Sequence, residues 1–144
     1  MISALVSALH LLGLGVGLGA VFARGRAFRD RDLQAALYAD NWWGLAALLW
    51  WGTGFFRAFG GLEKGTEFYL ANPLFLIKVG VLIAVALLEL YPMVTLVRWR
   101  FQQARGQEPD LAPMGRFRVI NLVETGGVVV MVFLAAFMSR GIGM

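Results

Sequence analysis

Four runs of apolar residues, each long enough to cross a lipid bilayer, leave this chain few folds to choose from. They cover residues 2–23, 41–59, 74–98 and 117–138. A hydrocarbon core about 30 Å thick takes about 20 helical residues. Inside it every backbone N–H and C=O must be satisfied by the protein, which leaves helices or a closed barrel. The alternating pattern of barrel strands is absent. The expectation is an all-α integral membrane protein, a four-transmembrane-helix bundle forming one domain over residues 1–144. Composition agrees: 59% of the residues are hydrophobic and only 15% charged, well away from the soluble average. The opening "MISALVSALHLLGLGVGLGA" has no basic segment before it and reads as a retained first span, not a signal peptide.

There is no cysteine, so disulfides, zinc-thiolate sites and thiolate chemistry are excluded. A net charge of +4 would suit nucleic acid, but the arginines gather in two segments between spans, as membrane orientation requires. No nucleic-acid partner is expected. Arg24, Arg26, Arg29 and Arg31 follow the first run. Arg98, Arg100, Arg105, Arg116 and Arg118 surround the third connection. The other side carries Arg57, Lys64 and Arg140, with Lys64 flanked by Glu63 and Glu67. The positive-inside rule then places both termini outside and both Arg-rich loops in the cytoplasm, in the inner (plasma) membrane as a multi-pass protein.

The third run contains two charges, Lys78 and Glu89, where a charge at the bilayer centre costs about 2.5–3.5 kcal/mol. At 100° per residue the two share a face with Val85 and Pro92, yet about 16 Å of helix separates them. They cannot neutralise each other, so each needs a partner elsewhere. On the fourth run Asn121, Glu124, Thr125 and Val128 form another stripe. On the first run Ser3, Ser7, His10, Gly13 and Gly17 form a third, ending at Arg24. The expected site is an inward-facing polar column of His10, Lys78, Glu89, Asn121 and Glu124, with the two glutamates at similar depth.

Plainer roles compete for each residue. Lys78 could snorkel to the outer interface. Glu89 and Glu124 could be neutral acids sharing a hydrogen bond, and His10 a polar contact between helices. Gly13/Gly17 and Gly15/Gly19 suit close helix packing or a flat ligand. Trp42–Trp43 fits an interfacial belt, whereas Trp50–Trp51 lies deep enough to pack or to flank a ligand. With one histidine, a haem held by two imidazoles within one chain is excluded, while a single axial histidine is enough to hold iron. A structural metal site lacks its Glu-x-x-His pairs.

Three segments carry a resemblance. The span layout resembles the four-helix HemJ-type protoporphyrinogen oxidases, and more closely a neighbouring family of small bacterial four-span membrane proteins with no assigned function. "ALHLLGLGVGLGAVFARGRAF" is similar to the oxidases' first helix, where a histidine precedes small and then basic residues; the histidine is His10. "NPLFLIKVG" is similar to their third helix, with Lys78 as its lysine. "GRFRVINLVET" is similar to the "FRxxNExPT" opening of their fourth, matching Phe117, Arg118, Asn121 and Thr125. The place of the oxidases' tyrosine-histidine pair falls near Glu89, Tyr91 and Pro92. Leu122 replaces an acid, and Glu124 stands where proline is usual.

The resemblance implies haem b on His10 and a contact from Lys78 to a tetrapyrrole, with electrons passing to a quinone. Lys78, Glu89, Glu124 and Asn121 would then be the catalytic set. From the residues alone, two other readings stay open: a small transport or proton-relay module, completed as a homo-oligomer, or a non-catalytic scaffolding subunit of a membrane complex.

Overall fold

The computed structural model describes residues 1–61 and 65–143; Glu63 and Lys64, weighed above in the charge balance, lie outside them. Five helices carry these residues: α1 Ile2–Asp30, α2 Leu33–Phe59, α3 Thr66–Ala71, α4 Pro73–Ala104 and α5 Met114–Ser139. Each expected apolar run lies inside one of the four long helices. The helices are longer than the runs, because helix formation does not stop where hydrophobicity does. "RGRAFRD", expected as a cytoplasmic loop, forms the last two turns of α1, and "LQAALYAD", rich in good helix formers, the first two of α2.

Tight signals end these elements. Arg31 takes the left-handed conformation, φ 55° and ψ 33°, and the Asp32 N–H then reaches back to Ala27 O at 2.9 Å. Asp32 in turn caps α2, its carboxylate accepting from the Ala35 N–H at 2.9 Å. Such a short connection forces α1 and α2 into an antiparallel hairpin. At α4, Asn72 accepts from the Leu74 N–H at 2.9 Å, and Pro73 occupies a first-turn position where no N–H is needed. Pro92 lies buried inside α4, removing one ladder hydrogen bond.

α1 is the central helix. It packs along α2 on one side and α5 on the other, and α5 packs on α4. Two core clusters form at these seams. Ala27, Phe28, Ala36, Leu37, Leu96, Trp99, Met114 and Phe117 pack near the Arg-rich connections. Ala20, Val21, Trp43, Val85, Val128 and Met131 pack further along. Between hydrocarbon-solvated helices this packing stabilises by close van der Waals fit, not by leaving water. Gly13 and Gly17 serve it. A Cβ on Gly13 would lie 3.3 Å from the Trp50 backbone nitrogen, whereas Gly15 and Gly19 face open space.

α1, α4 and α5 are long and apolar enough to cross a membrane. α2, expected as a fourth span, falls short by composition. Asp40, Asn41, four tryptophans and Arg57 dilute its aliphatic content.

Candidate functional site

Arg24 is the hub of the bundle. The residue expected in a loop is fully buried, four residues past Ala20 on the face that α1 turns toward α2 and α5. A guanidinium has five N–H donors in a rigid fork, and here each has an acceptor. Nε donates to Asn121 Oδ1 at 2.8 Å. Nη1 donates to Asp40 Oδ1 and to Glu89 Oε1, both at 2.8 Å. Nη2 donates to Glu89 Oε2 at 2.6 Å and to Glu124 Oε2 at 2.9 Å. Four helices therefore meet on one planar cation, a geometry lysine cannot supply. The Phe28 and Trp43 rings lie 5.7 and 5.5 Å from its central carbon, within cation–π range.

The supporting residues are themselves fixed. Asn121 donates from Nδ2 to Val21 O at 2.6 Å, which orients its carbonyl toward Arg24. A Cβ on Gly25 would stand 2.8 Å from that same Nδ2, so only glycine lets Asn121 come this close. Asp40 turns its second oxygen to Arg100 Nη2 at 2.8 Å. Arg100 also donates to Asn41 Oδ1 at 2.8 Å and to Leu37 O at 3.1 Å, fastening α4 to α2. Burial is graded along the chain of contacts. The Arg100 side chain is 35% exposed, Asp40 15%, Glu89 16%, and Arg24 and Glu124 0%.

Two guanidinium groups thus serve three carboxyl groups. One negative charge is in surplus if all three ionise, and buried Glu124 Oε1 has no hydrogen-bond partner. In a low-dielectric interior such a surplus is costly unless another positive charge, or a proton, joins it.

The expected column separates into two groups along the bundle. Glu89, Asn121 and Glu124 meet at Arg24. His10 and Lys78 belong to a second group toward the opposite end of α1 and α4. His10 is buried, with Nδ1 2.9 Å from Thr53 Oγ1. The one hydroxyl proton of Thr53 goes to Leu49 O at 2.6 Å. Thr53 therefore accepts from an Nδ1–H, which puts the lone pair of the neutral ring on Nε2. The Trp50 ring lies 5.6 Å from the imidazole. Lys78 and His10 line one cavity of about 360 Å³ together with Trp50, Trp51, Phe55 and Phe75.

Sequence reasoning missed Arg24, Asp40, Arg100 and Thr53. A signal existed for the first: Arg24 ends the polar stripe of His10, Gly13 and Gly17, but the positive-inside count assigned it to a loop. Among the described residues, no three histidine or carboxylate side chains are arranged to hold a metal ion; the carboxyls converge on the guanidinium instead.

Residues 2–143 match the model of a family described as predicted membrane protein (DUF2214), so the chain belongs to that family. No curated protein and no solved structure matches it.

Proposed function

From membership in this membrane-protein family and from the charge count at Arg24, we propose that the protein is a small proton-relay or transport module. In this reading α2 completes a four-span bundle. Its 27 residues reach about 40 Å at 1.5 Å per residue, and Asp40, Asn41 and Thr53 turn to partners on the other helices. Both termini lie outside and the Arg-rich connections face the cytoplasm of a plasma-membrane protein, in line with the positive-inside rule.

The observation that carries the reading is the sharing of two guanidiniums among three carboxyls, with Glu124 Oε1 unpartnered. Intramembrane ionisable residues that face a bundle interior mark proton or ion paths. One proton on the carboxyl set balances it. The partly exposed carboxyls of Asp40 and Glu89, leading to buried Glu124, give that proton a route from the loop side. Arg24 holds the carboxyls within reach of one another, and Asn121 fixes Arg24.

Proteoliposomes under a pH gradient, read by an internal pH dye, test this. The wild type dissipates the gradient faster than empty vesicles. Glu89→Gln and Glu124→Gln elute as folded protein and slow the dissipation about tenfold or more, as loss of a proton-transfer group does. Equal rates in all three proteins overturn the relay.

A second reading is the haem- or porphyrin-linked redox role implied by the HemJ resemblance. The observation favouring it is the aromatic cavity shared by His10 and Lys78. His10 would hold the haem iron, its ring held in place by the contact with Thr53. Lys78 would meet an acidic substituent as a point charge, and Glu89, Asn121 and Glu124 would handle protons. The iron would supply one-electron chemistry. A Soret band in protein purified with haem supplied, lost in His10→Ala, supports this reading; a colourless wild type removes it.

A further inference from the structure

We propose that the cleft between α2 and α4 binds a lipophilic organic cation in exchange for the proton at the Arg24 cluster. The proposal rests on the relay reading above and names its substrate class. α2 and α4 are clasped at Arg100 and meet again where the Phe59 and Phe75 rings approach to 6.5 Å, but between these ends each packs mainly on other helices. The gap holds a cavity of about 270 Å³ floored by Gly13 and Gly17 of α1. A second cavity, of about 360 Å³, adjoins it and shares Trp50, Trp51 and Leu82.

Three features of the first cavity select the ligand. Its walls carry the indoles of Trp43, Trp50 and Trp51, and apart from Glu89 its lining is apolar. Indole faces attract cations, quaternary ones included, most strongly when water is excluded. Glu89 is also the cluster carboxylate that reaches this lining, with its side chain 16% exposed. The surplus charge of three carboxyls over two guanidiniums therefore has an outlet here.

A cation arriving at Glu89 supplies the positive charge that the proton supplies in its absence. One proton then leaves, and the buried charge is unchanged. Arg24 can loosen Glu89 and stay paired with Asp40 and Glu124. An anion of the same shape meets the opposite field and is refused.

The test uses the full chain in detergent micelles. Tetraphenylphosphonium is titrated against tryptophan fluorescence, with tetraphenylborate as the anion of matching shape. A pH indicator in weak buffer counts protons. The expected result is saturable quenching by the cation, about one proton released per cation bound at saturation, and no saturable response to the borate. Glu89→Gln weakens cation binding by about tenfold or more, as removal of a buried charge partner does. Trp51→Leu weakens it about fivefold through the lost indole. Equal binding of the borate, or binding of the cation without proton release, overturns the proposal. Proton flux measured with no cation present reports on the relay alone, so the two readings fail separately.

Discussion

A fully buried arginine with every N–H committed is the residue on which the interior depends. Arg24→Leu leaves Asp40, Glu89 and Glu124 facing one another without their shared cation. Breaking a buried ion pair by removing one partner costs about 3–5 kcal/mol, so this variant should lose at least that in denaturant-induced unfolding in micelles. Arg24→Lys should recover only part of it, since an ammonium offers three donors where five acceptors wait. Gly25→Ala tests the neighbouring contact. Its new Cβ would overlap Asn121 Nδ2, at 2.8 Å, and pull the amide off Val21 O and Arg24. Overpacking of this kind costs about 1–3 kcal/mol, and it should appear as a lowered unfolding midpoint with helix content preserved.

At the scale of the helix, the two small-residue pairs of α1 separate by face. Gly13 and Gly17 look at α2, where Trp50, Ala46 and Trp43 close in, while Gly15 and Gly19 look away. Gly13→Leu should therefore force α1 from α2 and lower the unfolding temperature by several degrees, whereas Gly15→Leu should leave it close to the wild type; thermal melts of both in the same detergent decide this. Periodicity made much of this helix architecture legible. The stripes of Glu89 with Val85 and Pro92, and of Asn121 with Glu124 and Val128, follow from 100° per residue, and the structure buries Val85, Pro92, Asn121, Glu124 and Val128. What periodicity alone could not supply was the partner. Arg24 and Asp40 sit at the ends of apolar runs, where a charge ordinarily reaches water, so their burial depends on how far α1 and α2 extend past those runs. The six-residue α3 carries no periodic signal of its own, and the Thr53 contact to His10 joins residues 43 positions apart.

For the whole molecule, the arrangement is a central α1 flanked by α2 and α5, with α4 behind α5 and a gap left between α4 and α2. That gap, between the Arg100 clasp and the Phe59–Phe75 contact, holds the cavity that Glu89 lines. The proposed orientation has a direct consequence. The chain contains no cysteine, so a single introduced thiol reports its own side. Gly143→Cys should react with a membrane-impermeant maleimide in intact cells, while Gly106→Cys, in the connection between α4 and α5, should react only after the membrane is opened. The reverse pattern would invert the topology and with it the side from which the proposed relay takes up protons at Asp40.

The central claim is that the third carboxyl of the Arg24 cluster is balanced by a bound proton. Infrared spectroscopy of the protein in lipid at neutral pH reads this without any assay of function, because a protonated carboxyl has a C=O stretch distinct from that of a carboxylate. The account predicts one such band, shifted in deuterium oxide and lost in Glu124→Gln or Glu89→Gln. A wild-type spectrum in which every carboxyl is ionised would contradict it.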